Sequence, residues 1–129
     1  MKHFSKQWKS SSKPRKQRKY RKNAPLHIKK KFVSVNLAKE LRTKYTRRNI
    51  PVRKGDTIKV LRGQYKKRSG KVSTVDKLRA VVFVEGIELT KRDGSKILLP
   101  LQPSNLQITD LNVEDRKRNL KVDKAGVKK

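Results

Sequence analysis

The stretch GDTIKVLRGQYKKRSGKV, residues Gly55–Val72, places two glycines around a run of cations, with apolar residues alternating on both sides. Two kinds of structure use such a pattern: a loop that cradles nucleotide phosphates, or a β-hairpin that presents cations to a nucleic-acid backbone. A phosphate-binding P-loop has its glycines five residues apart, then Lys followed by Ser or Thr. Here Gly63 and Gly70 are seven apart, and Lys71 is followed by Val72, which cannot hold a magnesium ion. The pattern therefore predicts a β-hairpin.

Three residues of this stretch are predicted to shape the hairpin. Gly63 is expected to take a positive φ where the chain leaves the first strand. Gly70 is expected to permit a bulge or a close approach where the chain enters the second strand. Asp56, directly after Gly55, is expected to accept hydrogen bonds from turn amides. Between the glycines, the loop carries Tyr65 and several cations that a small domain cannot bury.

The composition indicates the class of partner. The 129 residues include 38 Lys and Arg against 10 Asp and Glu, a formal net charge of +28. Self-repulsion of this size opposes folding, so the chain is expected to bind a polyanion such as nucleic acid. An acidic membrane surface is the weaker alternative, because no segment approaches the roughly 18 apolar residues of a membrane-spanning helix. The absence of cysteine excludes a disulfide framework and a thiolate zinc site.

Residues 1–31 are predicted to form a basic arm. The segment PRKQRKYRKN, residues 14–23, is dense in cations, and the serines before Pro14 disfavour a continuous helix. With little apolar surface to bury, the arm is expected to be disordered when free and to order on its partner. Trp8 and Tyr20 lie among its cations, which suits base stacking as well as phosphate contact.

Two further segments flank a central domain. Residues 32–51 are predicted to hold a helix, SVNLAKELRTKY (34–45), and a connector, because the leucines and Tyr45 of this segment fall on one helical face. Residues 111–129 are predicted to form a basic C-terminal extension with a short helix at 112–120.

The central domain is predicted to be mainly β. From residue 52 the hydrophobic period changes to two, and turn-forming residues separate short apolar runs. Five short strands with so little apolar mass favour a small closed or nearly closed barrel over 52–110, because closure removes unprotected sheet edges. The predicted strands are 57–61, 70–75, 80–84, 97–99 and 106–109.

The central stretch and its flanks resemble a known family. VRKGDTIKVLRGQYKKRSGKVSTVD, residues 52–76, is similar to the KOW motif, with Gly63 as the motif's glycine. LAKELRTKY and RNIPVRKGD before the motif, and LPLQPSNLQITDLNVEDRKR after it, resemble the archaeal and eukaryotic branch of one ribosomal protein family. That family is called L twenty-four in bacteria and L twenty-six in eukaryotes. The PSNL stretch (103–106) and EDRKR (114–118) make the resemblance specific, whereas MKHFSKQWKSSSK at the start matches no family motif.

The resemblance implies an SH3-like five-stranded barrel bound to large-subunit ribosomal RNA, in the large ribosomal subunit of the cytoplasm. Members of the family are associated with the 5′ domain of that RNA, bind early in assembly and lie near the exit of the polypeptide tunnel. Neighbouring large-subunit ribosomal proteins and factors at the tunnel exit are therefore expected partners. Selectivity is expected to come from RNA shape and 2′-hydroxyl contacts, since side chains cannot read the deep A-form groove.

The predicted RNA-binding residues are mainly cations of the arm, the connector, the hairpin and the C-terminal extension. Tyr20 and Tyr65 have two interpretations, stacking on an unpaired base or packing against protein. Gly55, Asp56, Gly63 and Gly70 are predicted to act structurally. The RNA-binding set is Lys13, Arg15, Lys16, Arg18, Lys19, Tyr20, Arg21, Lys22, Lys29, Lys30, Lys31, Arg47, Arg48, Arg53, Lys54, Arg62, Gly63, Tyr65, Lys66, Lys67, Arg68, Lys71, Arg116, Lys117 and Arg118.

Catalysis finds no support in the sequence. His3 and His27 lie among cations with no acidic neighbour to orient them, and Glu85 and Glu88 flank a predicted turn. We therefore expect no enzyme activity, metal, cofactor or small-molecule substrate. Two binding classes remain as alternatives: a KOW-type transcription elongation factor, which usually carries a second domain, and a DNA-compacting basic protein, which would not need the PSNL and EDRKR flanks.

Overall fold

Strands form the centre of the fold. The structure, a computed structural model, describes residues 4–5, 11–114 and 118. Its strands are β1 (Ser34–Leu37), β2 (Asn49–Pro51), β3 (Thr57–Val60), β4 (Ser69–Asp76), β5 (Val81–Val84), β6 (Glu88–Thr90), β7 (Lys96–Leu98) and β8 (Leu106–Asp110). Within the described residues, six of them form one sheet in the order β2-β1-β8-β3-β4-β5, and β6 pairs with β7 in a separate two-stranded ribbon.

The strands predicted from the period-two pattern are confirmed. β3, β4, β5, β7 and β8 each begin and end within one residue of the predicted positions. The side chains alternate as the pattern requires: Ile58 and Val60 are buried, whereas Lys59 between them is exposed. These residues pack with Val72, Val84 and other aliphatic side chains in the single core of the described residues. The prediction of a mainly β central domain is therefore correct.

The helix predicted at 34–45 is wrong in its first half. Residues 34–37 form β1, which pairs antiparallel with β2 and parallel with β8. Burial alternates along β1, and Val35 and Leu37 are fully buried. The strand period of two therefore decides the structure of residues 34–37 over the helical period, because a strand can bury both Val35 and Leu37 between its neighbours. Helix α3 (Lys39–Tyr45) follows, and Leu41 and Tyr45 pack against the core.

The basic arm is not extended over its second half. Residues 14–32 form two helices, α1 (Pro14–Asn23) and α2 (Leu26–Phe32). Pro14 occupies the first turn of α1, where its missing N–H would have had no helical partner, so it starts this helix rather than breaking it. Ala24, between the two helices, is buried. The expectation that the arm is disordered when free stays a prediction.

The two glycines of the hairpin have the predicted roles. Gly63 has a φ of +94°, and a Cβ there would meet nothing within 4 Å. Gly63 is therefore favoured by its positive φ, and not because a side chain would collide with a neighbour. Gly70 is limited by space instead: a Cβ built on it would lie 2.6 Å from the carbonyl oxygen of Glu85 and 2.8 Å from Val84 Cγ1. Strand β4 therefore approaches the end of β5 more closely than any other residue would permit.

Gly70→Ala is expected to lower the free energy of unfolding by about 1–3 kcal/mol, because the new methyl group forces β4 away from a backbone carbonyl. Ser69→Ala is the matched control. Ser69 is the exposed neighbouring residue on the same strand, and its replacement should cost less than about 0.5 kcal/mol. Urea denaturation followed by circular dichroism measures both values. Equal stability of the two variants would contradict the close approach.

The C-terminal prediction is covered only in part. The short helix predicted at 112–120 lies largely outside the described residues, which end at 114 and resume only at 118. Before that gap, Asn112 Nδ2 donates a hydrogen bond of 3.1 Å to Glu114. The backbone N–H of Glu114 donates one of 3.0 Å to Asn112 Oδ1. These bonds fix the chain where it leaves β8.

Candidate nucleic-acid interface

The loop between β3 and β4 presents cations on an ordered backbone. The N–H of Lys67 donates a hydrogen bond of 2.8 Å to the carbonyl of Val60, and the N–H of Val60 donates one of 2.8 Å to the carbonyl of Arg68. Lys67 has a φ of +73°, a left-handed conformation that costs energy in a residue with a side chain. Lys66, Lys67 and Arg68 are all exposed. The loop therefore presents three charges at the surface from an ordered backbone.

Tyr65 supports this loop by packing. Its side chain is half-buried against the core, and its hydroxyl donates a hydrogen bond of 2.9 Å to the carbonyl of Glu88. The guanidinium of Arg68 lies 5.2 Å from the centre of the Tyr65 ring, within cation–π range. Of the two interpretations of Tyr65, packing is thus present in the structure. The tyrosine ties the cationic loop to the start of β6.

Asp56 is a buried hub and does more than the sequence predicted. Its carboxylate accepts a hydrogen bond of 2.8 Å from the N–H of Arg53, the turn amide bond that was expected. It also accepts one of 3.0 Å from the N–H of Asn112, on the far side of β8. Arg118 then donates to both carboxylate oxygens, at 2.5 and 2.8 Å. Asp56 thereby joins the start of the hairpin to the C-terminal segment.

Arg118 was predicted to contact RNA, and the structure places it elsewhere. Its side chain is 5% exposed, and both terminal nitrogens face Asp56. A guanidinium that is almost fully buried and paired with a carboxylate is poorly placed to neutralise a phosphate, and in the structure it anchors the chain to Asp56. Arg116 and Lys117, predicted with it, lie outside the described residues.

A basic groove runs beside this buried pair. It consists of three cavities of about 390, 400 and 470 Å³ that share walls. Arg53 lines all three, and Lys30, Lys54 and Arg118 each line two. The groove exists because α2 lies beside β2, which brings arm residues next to the connector, and residues of β4 line its second cavity.

The groove contains predicted and unpredicted cations. Lys31 and Arg47, both predicted, line its first cavity, and His27 lies beside them. Lys77 lines the second cavity and was not predicted, although it is exposed. It follows β4 in a turn and carries no local motif, so only the fold could show that it faces the groove. A concave surface lined by cations is the arrangement that attracts a polyanion most strongly.

Helix α1 places the arm cations on its surface. Lys13 precedes the helix, and Arg15, Lys16, Arg18, Lys19, Arg21 and Lys22 are all exposed on it. Tyr20 packs inside protein: its ring centre lies 4.8 Å from that of Phe4 and 6.2 Å from that of Phe32. The arm is thus a cationic helix whose aromatic side chains hold it to α2.

The remaining predicted cations lie around these three surfaces. Arg48, Arg62 and Lys71 are exposed, whereas Lys29 is half-buried on α2. Gly55 has a φ of +86° and sits against Asn112, so it helps to form the junction around Asp56. Most of the predicted cations that the structure describes are therefore distributed over the loop, the groove and α1, whereas Arg118 is buried.

The described residues show neither a metal cluster nor a membrane-spanning helix. Among them, His, Cys, Asp and Glu nowhere gather in a group able to hold a metal ion. Their helices are too short and too polar to cross a bilayer. Ser95 donates to Asp93 through its hydroxyl and its N–H, and these bonds lower the pKa of Asp93 below its ordinary value.

Comparisons with known proteins cover nearly the whole chain. The family model of the eukaryotic L26 and archaeal L24 ribosomal proteins matches residues 11–124. Large ribosomal subunit protein uL24 of Korarchaeum cryptofilum is 44% identical over 118 residues, 92% of this chain and 90% of that protein. Large ribosomal subunit protein uL24 of Methanospirillum hungatei is 48% identical over 112 residues, 87% of this chain and 93% of that protein. The matched residues include the loop, the groove and α1.

Proposed function

Because the chain belongs to the family of the eukaryotic L26 and archaeal L24 ribosomal proteins, we propose that it is a structural constituent of the large ribosomal subunit, in the cytoplasm. The observation that carries this proposal is the similarity to the two uL24 proteins over most of the chain. The family is one of ribosomal proteins and not of enzymes. This membership favours ribosomal RNA as the bound polyanion. It disfavours the two alternatives, a transcription elongation factor and a protein that compacts genomic DNA.

The central domain is proposed to be an SH3-like barrel. In the sheet, β8, β3, β4 and β5 are consecutive neighbours. Val82 of β5 then pairs with Leu101 through two backbone hydrogen bonds of 2.8 and 2.9 Å. Leu101 leads through the short 3-10 helix Pro103–Asn105 directly back into β8. The far edge of this four-stranded part therefore returns towards its first strand, which supports closure into a barrel.

The RNA is proposed to contact three cationic surfaces: the β3–β4 loop, the basic groove and helix α1. Backbone hydrogen bonds and the buried Asp56 junction hold the backbone of the loop and of the groove, so the positions from which the cations project are set before binding. This lowers the backbone ordering cost of binding, and only the exposed side chains are then ordered by the phosphates. The C-terminal extension contributes through Arg116 and Lys117 in this proposal, whereas Arg118 anchors it.

The resemblance also supports finer proposals about position. They are contact with the 5′ domain of the large-subunit RNA, early entry into assembly, and a place near the tunnel exit beside other ribosomal proteins and exit factors. Crosslinking the protein in its native cells and sequencing the attached nucleic acid tests the first of them, the contact with the 5′ domain. Reads concentrated in the 5′ domain support the proposal, and reads spread over nascent messages or genomic DNA contradict it.

The Lys66→Ala/Lys67→Ala/Arg68→Ala variant should bind that RNA with a weaker salt dependence. Each lost phosphate contact removes about 0.7–0.9 from the slope of log K against log salt, so the three substitutions should lower the slope by roughly two to three. Filter binding at several salt concentrations measures it. The control is Lys91→Ala/Arg92→Ala/Lys96→Ala, which removes equal charge from the exposed β6–β7 ribbon. An unchanged slope in the loop variant would place the RNA elsewhere.

A further inference from the structure

A cleft of about 180 Å³ lies between two signature stretches of the sequence. One side is the loop that follows Gly63, represented by Gln64 and Tyr65. The other side is the turn of the PSNL stretch, represented by Gln102 and Asn105. The N–H of Leu61 donates a hydrogen bond of 2.8 Å to the carbonyl of Asn105, which joins the two sides. The KOW glycine and the PSNL stretch therefore meet at one place in the fold.

The cleft offers hydrogen-bonding groups that the described residues leave unused. The side-chain amides of Gln64, Gln102 and Asn105 make no hydrogen bond to any other described residue. Each amide presents two donors and an acceptor side by side. Donors and acceptors side by side also make up the Watson–Crick edge of a nucleobase, and amides pair with such edges. Leu99 and the Tyr65 ring supply the apolar surface against which a flat ring can lie.

The surroundings of the cleft are cationic. Arg62 lines it, and Lys66 and Lys67 follow in the same loop, all exposed. A base can reach such a cleft only if it leaves its helix, since paired bases keep their edges inside the duplex. The cations can then hold the phosphates on either side of the extruded nucleotide. Cations around the cleft and amides lining it are the combination expected of a site that binds one unpaired nucleotide.

We propose that this cleft seats a single unpaired nucleobase of the bound RNA, with its Watson–Crick edge on the amides of Gln102 and Asn105. The inference rests on the proposed function, RNA binding through the adjacent loop. The Tyr65 ring is already fixed, because its hydroxyl bonds to the Glu88 carbonyl at 2.9 Å and Arg68 lies over it. A preordered ring contributes stacking at little entropic cost. The site reads an unpaired nucleotide, in addition to the general attraction of the phosphates.

The test uses intact large subunits that contain the Gln102→Ala/Asn105→Ala variant. Dimethyl sulfate and a carbodiimide modify the Watson–Crick edges of unpaired bases, so a seated base is protected. We expect one nucleotide, unreactive with the wild-type protein, to become about tenfold more reactive when the two amides are removed. Both side chains are at least partly exposed and bond to no described residue, so the variant should fold and assemble. Mass spectrometry of the subunits measures its incorporation.

Asn49→Ala is the matched control, since Asn49 is an exposed amide on β2, away from the cleft. With Asn49→Ala, the nucleotide that becomes reactive in the double variant should stay as unreactive as it is with the wild-type protein. Hydroxyl-radical cleavage of the RNA backbone near the loop separates the two proposals. In the double variant, the RNA backbone near the loop can stay protected while the reactivity of every base stays as in the wild type. That result overturns the cleft proposal and leaves the proposal that RNA contacts the β3–β4 loop in place. If the wild-type protein gives no backbone protection near the loop, the loop proposal fails as well.

Discussion

Asp56→Ala is expected to lower the free energy of unfolding by about 3–5 kcal/mol, because it leaves the buried Arg118 guanidinium without its counter-charge. The carboxylate also accepts the N–H groups of Arg53 and Asn112, and both lose their partner. A domain of this size has a total stability of about 5–15 kcal/mol. The substitution should therefore remove a large fraction of it, as measured by urea denaturation followed by circular dichroism.

Three further variants separate the effect of the ion pair from the effect of removing a surface charge. Asp110→Ala removes an exposed carboxylate from the end of β8 and should cost less than about 1 kcal/mol. Arg118→Ala should cost less than Asp56→Ala, since two backbone N–H groups still satisfy the remaining carboxylate. The double variant Asp56→Ala/Arg118→Ala should be less destabilised than the sum of the single variants. If Asp56→Ala costs no more than Asp110→Ala, the junction does not hold the C-terminal segment.

The central strands could be predicted because their pattern is local. From Thr57 to Asp110, apolar residues alternate with polar ones and turn residues separate the runs, so neighbouring residues predict five of the six strands. The sixth, β6, has only exposed residues and was not predicted. β1 could not be predicted in this way. Leu37 and Leu41 fit one helical face, and only the pairing of β1 with β8, some 70 residues later, shows that Leu37 belongs to a strand. Short segments with both periods are decided by tertiary contacts.

The residues of the candidate site also fall into two groups, those predictable from local sequence and those that depend on tertiary contacts. Exposed loop cations such as Lys66 were predictable, because a turn between two strands cannot bury them. Arg118 was not, since its partner Asp56 lies 62 residues away and a cation in the run EDRKR looks solvent-exposed. Lys77 was missed because the groove is formed by α2 and the sheet together. The number of cations can be counted from the sequence, but which of them line a concave surface is known only from the fold.

Removal of four groove cations is expected to weaken RNA binding on the order of a hundredfold at about 0.15 M salt. The variant is Lys31→Ala/Arg47→Ala/Lys54→Ala/Lys77→Ala, and all four side chains are exposed and line the groove. Four lost phosphate contacts reduce the slope of log K against log salt by about three. Because the four are exposed, the free energy of unfolding should change little, which thermal melting can check. Filter binding to the crosslinked RNA fragment measures the affinity and the slope.

The control must remove the same charge without touching the groove. Lys39→Ala/Lys44→Ala/Lys59→Ala/Lys91→Ala does so, since these exposed lysines lie on α3, β3 and the β6–β7 ribbon. If net charge alone attracts the RNA, both fourfold variants lose affinity equally, and the groove has no special role. If the phosphates occupy the groove, the control keeps most of the wild-type slope while the groove variant does not. The difference between the two slopes then counts the phosphates that the concave surface holds, because charge is matched and only position differs.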